Sequence, residues 1–493
     1  MAATIALPRP LAAQPTARAR LRLWPEWLIL SLYTFVVAFA IPFHEPWADE
    51  AQAWQMARAL SVHDLFFHAL RYEGSPGLWH LLLHGLTRLH VSYAGMHWLT
   101  GLAAVCGMSL LIFFAPFPRW IRLTLPFTVF FVYQYAVVAR SYVLVPLLAF
   151  SVAICWRRSK IAVAVLLGLL ANTSMHGFGL AAALCIVYFV EMRRGLHPTK
   201  HIGAAIGISL ALLGMALFTA LPPPHDLTFA PDLINESFGL HLLGTIPLAV
   251  LYLLRAASYS WLLGAIIVPP MLWIIYRTAG VLYLLPVISV ALLSGLSYWN
   301  YWHLGFGSIA VITTAWIIQR PVSIELRKLA IAVFVLWFIV QLSYSVYALT
   351  WDHEYPYSPD AAASQYLKHF VDQRLPLAVT IVNTSDAGEF HSVGLGPYFD
   401  QPIFINQPRL YWFWSNNEHT YPQFKAALNE NPAAIVAMYR SHHGRPFDRS
   451  FDLNSRRLQM LYERGYGVTH VFCGARPEAL TLHEQICEIV LER

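Results

Sequence analysis

Apolar runs long enough to cross a hydrocarbon layer of roughly 30 Å recur from Trp24 to Thr350, separated by short polar links, and then stop. They place spans near 24–42, 94–115, 123–138, 142–156, 161–175, 177–191, 201–221, 258–276, 279–297, 303–319 and 329–350, about eleven in all. Two other apolar stretches, Pro76 to His90 and His241 to Arg255, are about fifteen residues each, short for a span. Charge decides between the alternatives. The basic clusters Arg119/Arg122, Arg157/Arg158/Lys160, Arg193/Arg194/Lys200 and Arg320/Arg327/Lys328 all belong on the cytoplasmic side. They fall there together only if both short stretches lie on the membrane surface as interfacial helices; the competing count has both of them crossing.

From Trp351 the pattern changes to short apolar strands alternating with helical stretches. Ser358-Pro359-Asp360 starts a helix over 361–371, strands are expected at 377–382, 403–405, 433–438 and 469–472, and helices near 421–428 and 456–464. The expected fold is therefore a polytopic α-helical membrane protein over 1–350, with a first outer loop at 43–93, followed by a soluble α/β domain over 351–493.

Composition agrees. Of 493 residues, 57% are hydrophobic and 12% charged, against about 25% charged in soluble domains, and mean hydropathy is +0.51. A net charge of +6 would suggest nucleic acid for a soluble protein. Here it reflects basic cytoplasmic loops, so the expected partners include membrane lipid and no nucleic acid. Arg9, Arg18, Arg20 and Arg22 precede the first run, which is too long and aromatic for a signal-peptide core. That run is expected to be a retained span with its N-terminus in the cytoplasm, in a bacterial inner membrane, with the C-terminal domain outside. Cys106, Cys155 and Cys185 lie in apolar runs, whereas Cys473 and Cys487 lie in the outer domain, where a disulfide is possible but not implied.

This topology gathers polar residues on one face. The first outer loop carries His44, Glu45, Asp49, Glu50, His63, Asp64 and Glu73; Arg140 and Tyr142 join the third and fourth spans. His176, the pair His225/Asp226, and Trp299-Asn300-Tyr301-Trp302-His303 lie at the same level. Acids, histidines and an arginine on one membrane face are the parts for acid–base work on a phosphate-bearing substrate. Each has a plainer reading: Asp49 and Glu50 as a helix cap, Glu73 as a turn residue, Arg140 snorkelling to lipid phosphate, His176 as a structural histidine. No Gly-rich phosphate loop is evident, which suits a lipid phosphate better than a nucleotide sugar. In the outer domain, Tyr411-Trp412-Phe413-Trp414-Ser415-Asn416-Asn417 reads as core or as a sugar-stacking surface, making the domain an acceptor-binding module or lid.

The segment Pro46-Trp47-Ala48-Asp49-Glu50-Ala51-Gln52-Ala53-Trp54 resembles the acidic motif after the first span of GT-C glycosyltransferases, in particular the bacterial relatives of protein O-mannosyltransferases and the aminoarabinose transferase of lipid A. Glu73-Gly74-Ser75-Pro76-Gly77-Leu78-Trp79 is similar to that family's acidic residue before a His-Pro-Pro-Leu run, although Ser75 and Gly77 stand where His and Pro are usual. Ala139-Arg140-Ser141-Tyr142 matches its Ala-Arg-x-Tyr element, and Asn172–Gly177 and Tyr301–Gly305 are looser matches. The resemblance covers roughly 25–320 and implies a polyprenyl-phosphate sugar donor used on the outer face. It implies Asp49 as general base, with Glu50 and Glu73 as further catalytic-site carboxylates, Glu73 orienting the acceptor, and Arg140, Tyr142, His176 and His303 around the donor phosphate. No cofactor is required by these residues; a divalent metal on Glu73 and His176 is an open reading. The acceptor, whether protein, lipid or polysaccharide, is left open. A transporter or flippase, or an inactive lipid-saccharide-binding scaffold, are the competing classes; no internal repeat supports the first.

Overall fold

The computed structural model describes residues 23–196, 201–221, 238–296, 299–318, 320–382, 393–412, 420–440, 447–479 and 482–493. Among the described residues it is mostly helical, with seven helices long and apolar enough to cross a membrane and a small C-terminal sheet. In chain order the principal helices are α1 (Trp24–Ala40), α2 (Ala48–Ala59), α3 (Leu78–Arg88), α4 (Gly95–Phe114), α5 (Leu144–Cys155), α6 (Lys160–Ala171), α7 (Met175–Arg193) and α8 (Ile202–Ala220). They continue with α9 (Phe238–Ser258), α10 (Trp261–Ala279), α11 (Leu285–Leu296), α12 (Gly305–Ile318) and α13 (Ile324–Glu354). His225 and Asp226 lie outside the described residues.

Side-chain contacts fix which ends of the helices lie together. Glu26, at the start of α1, pairs with Arg119 at 2.6 Å and Arg122 at 3.5 Å. Trp156, after α5, donates to Glu191 near the end of α7 at 2.9 Å, and Tyr283, just before α11, also reaches Glu191. Arg320 stacks on the Tyr283 ring. These contacts gather the basic clusters at one end. At the other end His44 meets Asp352 near the end of α13, Leu78 N–H donates to Asn172 O, and His176 meets Ser294 of α11.

The stretch expected as a helical span at 123–138 is not a regular helix. Arg119–Thr124 is one helical turn, Leu125–Phe127 a 3-10 turn and Phe130–Gln134 a π-helical turn, and irregular backbone continues to Arg140. The segment still runs from one end of the bundle to the other beside α1. It passes Glu26 first, then Tyr33, which donates to Phe131 O at 2.6 Å, and ends at Glu50. Its side chains from Phe130 to Ala139 are buried on every side. Irregular backbone is tolerated at such depth because protein groups satisfy it: Ser345 donates to Phe127 O at 2.7 Å and Ala139 N–H to Glu50 at 2.5 Å.

Helix α3 covers the first short stretch. It packs on α2, with His84 Nδ1 2.9 Å from Ala57 O, burying Trp79, His80 and Leu83 and exposing Leu81, Leu82 and Leu89. The second stretch belongs to α9, a 21-residue helix rather than a short one. It packs on α11 and α12 at Gly295 and Gly307, and Tyr259, at φ 57°, turns the chain into α10.

Beyond α13 lie α14 (Asp360–Asp372), β1 (Leu377–Ile381), α15 (Thr420–Asn429), β2 (Ala434–Arg440), α16 (Arg456–Tyr462), β3 (Gly467–Ala479) and β4 (Leu482–Glu492). The sheet order is β1-β2-β4-β3, with β1 parallel to β2 and the other pairs antiparallel. Strand alternation sends Val379, Val436 and Met438 toward α14, and Ala378, Ile435 and Ala437 toward α15 and α16. Cys473 and Cys487 face each other across β3 and β4 and form a disulfide. Strand β4 had not been expected. Of the aromatic run at 411–417, only Tyr411 and Trp412 are described.

Candidate functional site

Helix α2 begins where the link from α1 ends, and its first turn carries both acids. Glu50 caps the helix: its carboxylate accepts from Trp47 N–H at 3.2 Å, satisfying a donor that an N-terminus leaves open. The plain reading of the acidic pair as a helix cap therefore holds for Glu50 and not for Asp49, which turns toward Arg140 and forms an ion pair with it. This pair is partly exposed, with 20% of the Asp49 and 17% of the Arg140 side chain accessible.

Behind it Glu50 is fully buried and joins separate parts of the chain. His44 Nε2 lies 3.2 Å from Oε2, His97 Nε2 of α4 lies 3.1 Å from Oε1, and Ala139 N–H donates to Oε1. His44 Nδ1 faces both oxygens of Asp352 at 3.0 and 3.2 Å. Burial works against charge at His44 but the two carboxylates outweigh it, raising its pKa to about 10. Burial likewise opposes the Glu50 charge, and His44 and His97 outweigh it, holding the carboxyl well below the usual range. Glu50, expected beside Asp49 as a catalytic-site carboxylate, thus sits as an anchor for the backbone that presents Arg140.

Arg140 leads to a relay. Its guanidinium is 3.4 Å from the Tyr142 hydroxyl, which lies 2.7 Å from His303 Nε2. Asn300 N–H donates to His303 Nδ1 at 3.0 Å, so the neutral imidazole carries its proton on Nε2 and donates it to Tyr142. With two groups donating to its oxygen, the Tyr142 hydroxyl has its own proton to give. His176 stacks on His303 at 4.6 Å between ring centroids and bonds Ser294 at 3.0 Å, one layer behind the relay.

Glu73 reaches the site through Gln52, whose amide donates to it at 2.7 Å. Burial first, then the nearby Asp49 charge, push the Glu73 carboxyl up to about 7, against the Gln52 hydrogen bond and Arg140. Glu73 bonds Gln52 and His176 bonds Ser294; among the described residues, the buried group of three whose ligand atoms converge is His44, Glu50 and His97.

The structure also adds residues that the linear pattern did not single out. Gln52 grips the C-terminal domain, donating to Trp412 O at 2.6 Å and accepting from Trp412 N–H at 2.9 Å. Arg476 of β3 is fully buried with its guanidinium 3.7 Å from the Trp47 ring centroid and 5.3 Å from that of Trp302. Arg140 faces the same two rings at 5.9 and 5.6 Å. A lone histidine inside an apolar run was the available signal for His97; nothing in the local sequence marks Arg476. No family model, curated protein or solved structure matches the chain.

Proposed function

We propose that this chain is an integral membrane glycosyltransferase that moves a sugar from a polyprenyl-phosphate donor to an acceptor hydroxyl on the outer face of the membrane. The observation that carries this reading is the Asp49–Arg140–Tyr142–His303 constellation at the bundle end opposite the basic clusters. The eleven crossings are α1, α4, the irregular 119–140 segment, α5 to α8 and α10 to α13, with α3 and α9 outside the count. The basic end is cytoplasmic and the C-terminal domain extracytoplasmic, in a bacterial inner membrane. The Cys473–Cys487 disulfide supports that side, because disulfides persist in oxidising compartments.

In the reaction the acceptor hydroxyl gives its proton to Asp49 as its oxygen bonds the anomeric carbon. The bond from that carbon to the phosphate oxygen breaks, and its electron pair leaves with polyprenyl phosphate. Arg140 and the Tyr142 proton receive the charge that develops on the phosphate. A phosphate that engages Arg140 competes with Asp49 for the guanidinium, and a carboxylate released from its cation is a stronger base. Donor binding thereby readies the base. Glu73, with its raised pKa, orients the acceptor or the sugar.

A groove of about 640 Å³ supports a lipid-borne donor. It starts at Gly307 and Ala256, one helical turn from His303, and follows α12 to Arg320, lined by Leu253, Val311 and Ile312 among others. Its lining is mainly apolar, with Arg320 and Arg327 at the basic end, as suits a polyisoprenoid tail.

The test is turnover of radiolabelled polyprenyl-phosphate hexose by purified wild type and Asp49→Asn. Release of free polyprenyl phosphate by the wild type alone, with both proteins binding the lipid, is the expected result. If neither folded protein binds it, the donor assignment fails and a transport function takes precedence.

A further inference from the structure

We propose that His44, Glu50 and His97 form a buried divalent-metal site, matched best by zinc, directly behind the Asp49–Arg140 pair. Nothing in this inference depends on the glycosyl-transfer reading.

The geometry is that of a ligand set. His97 Nε2 and His44 Nε2 stand 3.1 and 3.2 Å from the two oxygens of Glu50, and one ligand atom from each residue lies within 4.8 Å of the others. Zinc held by nitrogen and oxygen at roughly 2.0–2.1 Å in a tetrahedron sets neighbouring ligand atoms about 3.3 Å apart. The observed spacings need only a small opening to accept it. Two imidazoles and one carboxylate suit zinc better than calcium or magnesium, which demand oxygen ligands.

The surroundings supply what orients such ligands. A histidine that binds metal through one nitrogen commonly donates from the other to a carboxylate. His44 does so through Nδ1 to Asp352. The Glu50 oxygens are held by Trp47 N–H and Ala139 N–H. Charge points the same way. Glu50 and Asp352 bring two negative charges into a buried space, and one divalent cation with two neutral imidazoles balances both. For the fourth corner there is Tyr133: its hydroxyl is buried without a hydrogen-bond partner, its ring stands edge-on to His44 at 6.5 Å, and it is within electrostatic range of both Glu50 and Asp352. A water between metal and phenol completes four-coordination and satisfies that oxygen.

The ligands come from the α1–α2 link, α2 and α4, with Asp352 from α13, so one ion ties together segments far apart in sequence. Ala139 N–H rests on Glu50, and Arg140 follows it. The metal is therefore a positioning element that holds the Asp49–Arg140 geometry without touching substrate.

The experiment is metal analysis of the full-length protein in detergent. The wild type is expected to retain about one equivalent of zinc after gel filtration, because the ligands are buried. A chelator strong enough to strip it should lower the melting temperature, and zinc should restore it. Cobalt exchanged into the stripped protein should give the visible absorption of a tetrahedral N/O site. His97→Gln, chosen because it preserves volume and polarity, should lose the metal and the chelator response together. Wild type that is folded, metal-free after purification with zinc, silent with cobalt and indifferent to chelator would overturn the site and leave a hydrogen-bonded network in its place. A folded His97→Gln with full zinc occupancy would overturn it as well.

Discussion

Asp49 faces Arg140 at a partly open surface, whereas Glu50, the next residue, is fully buried among His44, His97 and two backbone N–H groups. Substitution should separate them. Asp49→Asn keeps shape and polarity at a partly exposed position, so its effect on stability should stay within about 1 kcal/mol while sugar transfer is lost. Glu50→Gln leaves buried donors facing an amide and should cost about 3–5 kcal/mol. Thermal unfolding in detergent, run beside the transfer assay, distinguishes the two; a Glu50→Gln protein as stable as wild type would contradict the anchoring role. Glu73 makes a prediction in pH. Its carboxyl is raised to about 7, so the folded protein binds this proton more tightly than the unfolded chain, whose ordinary value is 4.5. The stabilising contribution is complete below the unfolded value and is lost as pH rises through about 7. Ionisation also adds a negative charge beside Asp49, so affinity for an anionic donor should fall over that range. Glu73→Gln, neutral throughout, should flatten this limb of the binding curve, and an unchanged limb would assign it to another group.

Among the elements, the long apolar runs were readable because hydrophobic length alone marks them: ten of the expected spans coincide with apolar helices. The 123–138 stretch misled because composition reports burial and says nothing of regularity, and Pro126 with the π-turn at Phe130–Gln134 breaks the helix while the side chains stay enclosed. In the C-terminal domain β1 and β2 carry continuous apolar cores and were legible, and β3 was legible from the short stretch ending in Val471 and Phe472. Phe404, expected in a strand, makes only isolated bridges to Leu377 and Gln407. Strand β4 was hidden because Glu488, fully buried, interrupts its apolar pattern. The site was legible at Asp49, Glu73, Arg140, Tyr142 and His303, where polar residues punctuate spans. Partners contributed from far along the chain, such as Asp352, Trp412 and Arg476, have no local signature, since only folding brings them near. The β3–β4 disulfide closes a loop of sequence separation 14. Replacing Cys473 and Cys487 together with serine should destabilise the domain by about 2 kcal/mol, since the bond's main effect is on the unfolded chain. Denaturant unfolding of the wild type with and without reductant should show the same loss, and no difference between them would rule it out.

At the scale of the whole molecule, each contact that pins a helix end assigns it to one of two faces. Glu26 with Arg119, Trp156 with Glu191 and Arg320 with Tyr283 mark one; His44 with Asp352, Gln52 with Trp412 and His176 with Ser294 mark the other. Such contacts are internal to the fold, and they sort the basic clusters to a single face. A membrane places the low-dielectric layer between the faces, so residues from opposite faces must differ in access to an impermeant reagent. Arg158 and Asp400 are both exposed and belong to opposite faces. In a background with Cys106, Cys155 and Cys185 replaced, Arg158→Cys should be labelled by an impermeant maleimide only in inside-out vesicles. Asp400→Cys should be labelled only in right-side-out vesicles. Labelling of both from one side would put an even number of crossings between them and return α9 to the count; the reverse pattern would keep the odd number and invert the molecule, moving the Asp49–Arg140 site to the cytoplasm.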